Sequence, residues 1–264
     1  MKIATYQMDI IAGKPAENRK KVLDWVDQVL KEQQPDVLVL PEMWTTAYTL
    51  PILEKVIRED EAETETFLKE LARKHHVNII AGSIAVEEAG GIFNRSYILN
   101  RKGEIIYTYD KIHLVPMLDE HLYLKGGNNA VKVFEFDGRK MGVIICYDLR
   151  FPELVRSLAL QGAEVVFVVA EWPLARVKHW EILQQARAIE NQVFVVSCNR
   201  VGTHDGVKFA GRSMVVTPWG ETLTKASQVE EETFTVDLNL NEVTRIRKEV
   251  PVFASRVPKL YGDL

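Results

Sequence analysis

Short apolar segments alternate with amphipathic helical segments along most of this chain. The apolar run at 165–170, "VVFVVA", lies between two helical patterns, "PELVRSLALQG" before it and "RVKHWEILQQARAIENQ" after it. Such alternation is typical of α/β proteins, in which helices cover the faces of sheets. Other strand segments are joined by hairpin turns, so we predict two mixed sheets with the helices outside. No repeat, low-complexity segment or Pro/Gly/Ser-rich linker interrupts the pattern, which favours one domain over 1–264.

The turn signals give more specific expectations. "NRKG" at 100–103 and "DG" at 137–138 are typical of hairpin turns. The segment "VNIIAGSIAV" at 77–86 predicts one continuous strand. "RSMVVTP" and "EETFTVDLN", on either side of Trp219-Gly220, predict a returning pair of strands, and "EVPVFASRVPKLYGDL" at 249–264 predicts an extended segment.

Composition excludes several classes of protein. Hydrophobic residues make up 47% and charged residues 27% of the chain, a globular balance that argues against disorder. The net charge of −4 is spread along the sequence, so no basic stripe for nucleic acid is present. The longest apolar run is far shorter than the roughly 20 residues that cross a bilayer. With no signal-peptide pattern at the start and only two cysteines, a cytoplasmic protein is expected.

Three strand ends carry reactive side chains. Glu42 follows "DVLVLP", Lys111 follows "EIIYTYD" and Cys146 follows "MGVII". Ligands of α/β proteins bind where strands end, so these three groups could meet there. Taken singly, each has an ordinary explanation: a solvated carboxylate, a surface ion pair with Asp110, and a small apolar residue of the core. If a helix begins behind Cys146, we expect its partial positive charge to lower the pKa of the thiol.

These three residue types are sufficient together for amide hydrolysis. A carboxylate in a partly dry pocket can take the thiol proton and later return it to the leaving amine. An ammonium beside them would stabilise the oxyanion that forms when the thiolate attacks a carbonyl. Hydrolysis would then pass through a thioester, and neither a metal nor a cofactor is required.

Three motifs in register resemble the signatures of the nitrilase superfamily of carbon–nitrogen hydrolases: "LPEMW" at 40–44, "YDKIHLVP" at 109–116 and "CYDLRFPEL" at 146–154. The likeness extends from "ATYQMDI" near the start to "TVDLNL" near the end. It implies a four-layer αββα sandwich, and it implies a homodimer formed through "PELVRSLALQ" and "KHWEILQQARAIENQ". A C-terminal extension from about residue 250 would lie across the partner subunit.

The same resemblance assigns roles to individual residues. It implies that Glu42 is the general base, Lys111 the stabiliser of the oxyanion and Cys146 the nucleophile. The backbone N–H of Tyr147 would complete the oxyanion hole, and a second glutamate near the site matches Glu120 better than the neighbouring aspartate. One departure from the family is the alanine at position 47, where relatives commonly have glycine.

Two alternatives for the chemistry stay open. Cys198 also ends an apolar strand, but a glycine-containing loop follows it and packing is the simpler interpretation. A Cys146–His113 dyad is a second possible mechanism, because cysteine–histidine pairs are common in hydrolases. Otherwise, His113 and His121 are expected to hold the loop that carries Lys111 and Glu120.

The substrate is indicated by "MLDEHLYLKGG" and "AEWPLARVKHW", which resemble the ω-amidase branch that cleaves the terminal amide of 2-oxo-dicarboxylic acid monoamides such as 2-oxoglutaramate. Arg176 is the candidate for binding the substrate carboxylate, because a guanidinium forms a two-pronged pair with it. A surface or interface arginine is the other interpretation. Trp172 and Tyr48 are candidates for the pocket wall. A nitrile, an N-carbamoyl amine or another amide is an alternative substrate, and an inactive scaffold is the non-enzyme alternative.

Overall fold

The structure is a computed structural model that describes residues 1–58 and 61–261. Within these residues the strands are, in chain order, β1 (Lys2–Gln7), β2 (Val37–Val39), β3 (Asn78–Ile80), β4 (Ile84–Glu88), β5 (Gly91–Leu99), β6 (Ile105–Asp110), β7 (Phe134–Phe136), β8 (Arg139–Ile145), β9 (Val165–Ala170), β10 (Phe194–Asn199), β11 (Thr203–His204), β12 (Val207–Lys208), β13 (Met214–Val216), β14 (Thr222–Lys225) and β15 (Glu232–Asp237). The helices are α1 (Pro15–Glu32), α2 (Leu53–Arg58), α3 (Glu61–His75), α4 (Pro152–Leu160), α5 (Val177–Asn191) and α6 (Asn241–Glu249).

The strands form two large mixed sheets. The first has the order β15-β1-β2-β3-β5-β4, with β6 paired to β5, and the second has the order β14-β13-β10-β9-β8-β7. In both sheets parallel pairs, such as β1–β2 and β8–β9, occur beside antiparallel ones, such as β5–β6 and β7–β8. The predicted turns between β5 and β6 and between β7 and β8 are therefore confirmed. At the second turn Asp137 and Gly138 both have positive φ, as a tight hairpin requires.

The two sheets pack face to face, with helices on their outer faces. Side chains alternate along each strand, so Ile3 lies in the core between the sheets and Ala4 in the core under the outer helices. Val22 and Val26 of α1 pack with Ala4 on one outer face. Helices α4 and α5 cover the other sheet, which they contact through β8 and β10. This arrangement confirms the predicted four-layer αββα sandwich.

The predicted continuous strand at 77–86 is wrong, because β3 and β4 are separated at Gly82. Gly82 has a φ of +59°, and a Cβ at this position would lie 1.8 Å from the carbonyl oxygen of Pro41. Only glycine fits so close a backbone approach. The break therefore lets the chain after β3 pack against the loop that carries Glu42.

The predicted returning pair near the C-terminus is also wrong. The turn at Trp219-Gly220 joins β13 to β14, and β15 crosses to the first sheet, where it pairs with β1. Residues 250–261 form turns and the short 3-10 helix Pro258–Leu260 rather than an extended segment, and 262–264 lie outside the described residues. Among the described residues, no helix is long and apolar enough to cross a membrane.

Candidate active site

The three predicted strand ends meet at one edge of the sandwich. Glu42 follows β2 and Lys111 follows β6, both in the first sheet, whereas Cys146 follows β8 in the second. The Lys111 Nζ lies 3.0 Å from Oε1 of Glu42, and the Cys146 thiol is near enough to the same carboxylate for its charge to raise the pKa of the thiol. Both charged side chains are fully buried and Cys146 is only 5% exposed, so the cluster is shielded from bulk water.

The carboxylate of Glu42 is held by different donors at its two oxygens. Oε1 accepts from Tyr48 Oη at 2.6 Å, from Asn94 Nδ2 at 2.8 Å and from Lys111 Nζ at 3.0 Å. Oε2 accepts from the main-chain N–H of Glu171 at 2.7 Å. Because Oε1 already accepts three hydrogen bonds, Oε2 is the oxygen with room to take a proton.

Lys111 lies between two carboxylates. Its Nζ is 3.0 Å from Oε1 of Glu120 and 2.8 Å from Oη of Tyr48, in addition to its contact with Glu42. Burial alone would lower the pKa of Lys111, but the charges of Glu42 and Glu120 outweigh it and raise the pKa above its usual value. The lysine is therefore a fixed positive charge in a dry site.

Glu120 belongs to this cluster, and its neighbour Asp119 does not. Glu120 is fully buried and its Oε2 also accepts from the main-chain N–H of Val115 at 2.8 Å. Asp119 is exposed and has a left-handed backbone with a φ of 50°. The turn at Asp119 thus directs the following carboxylate inward against Lys111.

Cys146 has a φ of 47° and starts a five-residue 3-10 helix, Cys146–Arg150. The expected lowering of its pKa is wrong. Burial and then the carboxylate of Glu42 raise the pKa of the thiol well above its usual value, and the opposing effect of Lys111 is smaller. A short helix start cannot offset the loss of hydration, so the resting group is a thiol that needs a base.

His113 contacts Asp148 rather than Cys146. Its Nδ1 lies 2.8 Å from Oδ1 of Asp148, and its ring stacks on Phe151 with centroids 3.5 Å apart. Asp148 is fully buried and accepts further hydrogen bonds from Tyr109 Oη and from the main chain at Ile145, so it fixes the turn of the nucleophile. The alternative cysteine–histidine dyad gains no support from this geometry.

Cys198 and His121 both lie outside the catalytic cluster. Cys198 is fully buried within β10 and its thiol donates to the carbonyl oxygen of Tyr6 at 3.1 Å, which fits the packing interpretation. His121 is exposed, so the expectation that it holds the catalytic loop is wrong. Within the described part of the chain, no three His, Cys, Asp or Glu side chains form a group that could hold a metal ion.

A cavity of about 820 Å³ leads to Cys146. The 3-10 helix Leu174–Arg176, the hairpin of β11 and β12, and the segment around Met117 contribute to its wall. The candidate pocket residues Tyr48, Trp172 and Arg176 all line it, as does Tyr147. Tyr48 is also part of the polar cluster described above. Because burial raises the pKa of Tyr48 well above its usual value, its hydroxyl stays protonated and donates to Glu42.

Two arginines, Arg150 and Arg176, line this cavity together with Trp172. Arg176 is half-buried, and no ion pair joins it to another described residue. Arg150 lies with its guanidinium carbon 4.7 Å from the ring centroid of Trp172 and 5.6 Å from that of Tyr147. Trp172 donates from Nε1 to the carbonyl oxygen of Arg176 at 2.9 Å. Arg150 and Arg176 thus place positive charge near aromatic surface, on a wall to which Asp119, Asp205 and Lys208 also contribute.

Sequence reasoning missed several residues of the site, namely Asn94, Asp148, Arg150 and Glu171. Arg150 could have been identified from its position within "CYDLRFPEL", one helical turn beyond the nucleophile. Glu171 comes directly after β9, at the same kind of strand end that singled out the three predicted groups. Asn94 lies within β5 and carries no such signal, because only the pairing of β5 brings it beside Glu42.

Comparison with known proteins agrees with the fold and the motifs. The chain matches the family described as carbon-nitrogen hydrolase over residues 2–248. A 2-oxoglutaramate amidase of Bacillus subtilis (strain 168) is 43% identical over 259 residues, 98% of this chain and 98% of that protein. Omega-amidase YafV of Escherichia coli (strain K12) is 36% identical over 83% of each chain. The crystal structure of a carbon-nitrogen hydrolase from Helicobacter pylori G27 has the same fold, with a TM-score of 0.93, 24% identity and coverage of 100% of this chain and 97% of that chain.

Fold and sequence together define an α/β enzyme that hydrolyses carbon–nitrogen bonds other than peptide bonds. More particularly, the chain belongs to the carbon-nitrogen hydrolase family within the nitrilase superfamily. The resemblance identified from the three motifs is therefore confirmed.

Proposed function

We propose that this protein hydrolyses the terminal amide of a small carboxylate-bearing substrate, such as 2-oxoglutaramate, and releases ammonia. The observation that carries the proposal is the buried cluster of Glu42, Lys111 and Glu120 beside the Cys146 thiol, at the end of a cavity with two arginines on its wall. The relatives named 2-oxoglutaramate amidase and omega-amidase support the same class of substrate.

The first half of the reaction forms a thioester. Glu42 takes the thiol proton at Oε2, and the Cys146 sulfur attacks the amide carbonyl carbon. Negative charge develops on the carbonyl oxygen, where Lys111 and the backbone N–H of Tyr147 stabilise it. When the intermediate collapses, the carbon–nitrogen bond breaks, and protonated Glu42 gives its proton to the leaving amine, which departs as ammonia.

The second half regenerates the enzyme. Glu42 takes a proton from a water molecule that attacks the thioester carbonyl, and the same two groups stabilise the second oxyanion. The carbon–sulfur bond then breaks, the proton returns to sulfur, and the carboxylic acid product leaves. Glu120 keeps Lys111 in place and offsets part of its charge in the buried site.

The direct test measures ammonia release from a panel of purified amides, nitriles and N-carbamoyl amines. We expect kcat/KM to be highest for 2-oxoglutaramate, because the arginines of the cavity pair with its carboxylate. Activity on nitriles or carbamoyl amines alone would replace the proposed substrate class and keep the thiol chemistry. No release from any compound would favour the inactive scaffold.

Removal of either cavity arginine tests carboxylate recognition. We expect Arg176→Ala and Arg150→Ala each to raise KM for 2-oxoglutaramate by about 10- to 100-fold, the effect of losing a charged hydrogen bond of about 1.5–3 kcal/mol. The KM for butyramide, which has no carboxylate, should change much less. The matched control is Arg245→Ala, which removes an exposed arginine paired with Glu249 on α6. An equal loss on both amides would remove the altered arginine from substrate recognition.

We also propose that the protein is a single domain that forms a homodimer in the cytoplasm. Leu160 of α4 and Ile182 and Ile189 of α5 are 47%, 61% and 51% exposed, so the outer face formed by these helices offers apolar surface to a second copy. The C-terminal extension from about residue 250 would lie at the same interface. Both cysteines are free thiols, which suits a reducing compartment.

A further inference from the structure

Glu171 connects the catalytic cluster with the wall of the cavity. It is the first residue after β9 and it lines the cavity that leads to Cys146. Its main-chain N–H donates to Oε2 of Glu42, the oxygen with room for a proton, while its own side chain is only 4% exposed. The next residues along the chain, Trp172 and Pro173, continue the cavity wall. A carboxyl group is thus buried in the wall of the cavity that leads to Cys146.

The two oxygens of this carboxyl group have unequal surroundings. Oε2 accepts from Arg200 Nη1 at 3.0 Å, whereas Oε1 is buried and no described residue makes a hydrogen bond to it. Arg200 donates from Nε to the carbonyl oxygen of Val201 and from Nη2 to that of Ile10, and its Nη1 reaches only Oε2 of Glu171, so Oε1 receives no hydrogen bond from it. A buried polar atom without a partner is costly unless a ligand supplies one.

The charges around Glu171 favour its protonated form. Burial is the largest effect on its pKa, and burial together with the charge of Glu42 outweighs Arg200 and Lys111, so that the pKa of Glu171 is raised to about 8. Asp9 reaches the carboxyl only through Arg200. Since Oε2 accepts from Arg200, the proton belongs on Oε1. The free enzyme therefore holds a hydroxyl donor at neutral pH whose acceptor is absent from the described protein.

We propose that Glu171 is a specificity-determining residue that donates a hydrogen bond from Oε1 to an oxygen of the substrate's acyl chain, beyond the scissile amide. This inference rests on the proposed function and deepens it, because it assigns the selection of oxygen-bearing acyl chains to Glu171 rather than to the cavity arginines alone. If Glu171 were ionised, its carboxylate would instead place a negative charge next to the substrate oxygen and could not donate a hydrogen bond to it. Binding of such a substrate is thus linked to retention of one proton.

The test compares the pH dependence of KM for two substrates. For the wild-type enzyme and 2-oxoglutaramate, we expect KM to rise about fivefold between pH 8 and pH 9, as a single group with a pKa of about 8 loses its proton. The KM for butyramide, whose acyl chain has no oxygen, should lack this rise. The monoamide of glutaric acid, which keeps the carboxylate and lacks the oxo group, shows which oxygen accepts the hydrogen bond.

Two variants test whether Glu171 recognises the substrate or only holds Arg200 in place. Glu171→Gln keeps an acceptor for Arg200 and a donor that cannot ionise, so the rise in KM between pH 8 and pH 9 should disappear. Glu171→Leu removes the donor and should raise KM for 2-oxoglutaramate about fivefold below pH 7, the usual value of one hydrogen bond, and by less toward pH 9, where the wild-type carboxyl has itself lost the proton. A residue that only anchors Arg200 would change thermal stability in both variants and leave the pH profile unaltered.

A calorimetric measurement on the wild-type enzyme covers the case in which the variants do not fold. Binding of 2-oxobutyrate, which has the 2-oxo acid end and lacks the amide, is measured at pH 8 in two buffers of different ionisation enthalpy. We expect uptake of about half a proton per ligand, because half of the Glu171 groups are ionised at their pKa.

Several results would overturn the assignment of Glu171. They are a flat wild-type profile, an equal rise in KM for butyramide, a rise that persists in Glu171→Gln, or no proton uptake on binding of 2-oxobutyrate. Each of them leaves hydrolysis of 2-oxoglutaramate by the wild-type enzyme intact. Failure of the wild-type enzyme to release ammonia from 2-oxoglutaramate would instead overturn the proposed function itself.

Discussion

Replacement of Cys146 by alanine is expected to lower kcat by on the order of 10⁴-fold or more, because no covalent intermediate can then form. Glu42 and Lys111 would remain in place, but a water molecule bound there is a far poorer nucleophile than sulfur. Since the thiol is a small group that is 5% exposed, the fold should tolerate its removal. Ammonia release under saturating amide measures the loss, and the thermal unfolding midpoint checks the fold.

The chain offers a matched control in its second buried thiol. Cys198 donates to the carbonyl oxygen of Tyr6 and lies near the end of β10, outside the catalytic cluster. Cys198→Ala should therefore cost about 1 kcal/mol of stability, the usual value of one hydrogen bond, and leave kcat unaltered. Loss of activity in Cys198→Ala with activity retained in Cys146→Ala would reverse the assignment of the nucleophile.

Mass spectrometry gives independent evidence on the same point. A slowly hydrolysed amide should leave an acyl group on the peptide that contains Cys146, with a mass equal to that of the substrate less ammonia. An adduct on the Cys198 peptide, or no adduct while turnover proceeds, would contradict a thioester at Cys146.

The reactive residues could be found from the sequence because the ends of short apolar strands can be identified there. Glu42, Lys111 and Cys146 each follow a short apolar run, and the ends of such strands meet at one edge of an α/β fold. The mixture of strand–helix units and hairpins likewise predicted two mixed sheets with helices outside. Neither inference needed the register of one strand against another, which is why both were possible before the structure was known.

Features that depend on tertiary contacts were beyond the sequence. The break at Gly82 exists because its backbone meets Pro41, which is distant along the chain. Strand β15 leaves its neighbours to pair with β1 at the opposite end of the sequence. The raised pKa of Cys146 has the same origin, since burial in the assembled site outweighs the local helix start that the sequence suggested.

Replacement of Glu42 by glutamine is expected to lower kcat by about 10²- to 10⁴-fold, the usual contribution of a general base. Burial and the nearby carboxylate raise the pKa of the Cys146 thiol, so the sulfur does not ionise on its own near neutral pH. Glutamine cannot take the proton. Its side-chain NH2 group would also face another donor in both orientations of the amide. In one orientation that donor is the main-chain N–H of Glu171, and in the other it is the set of three donors that bind Oε1 of Glu42. That mismatch should cost about 1–3 kcal/mol of stability.

The pH dependence distinguishes a lost base from a damaged site. Without Glu42 as base, the residual activity of Glu42→Gln must come from thiol that ionises directly to solvent. It should therefore rise about tenfold per pH unit at pH values below the thiol pKa, which burial still raises in this variant although the contribution of Glu42 is gone, because the thiolate fraction rises by that factor. The matched control is Glu231→Gln, which alters a carboxylate that is 33% exposed and accepts from Tyr6 and Lys21 away from the cavity. It should lower stability without altering kcat. A Glu42→Gln enzyme with a normal kcat, or with a residual rate that does not change with pH, would show that another group takes the proton from Cys146.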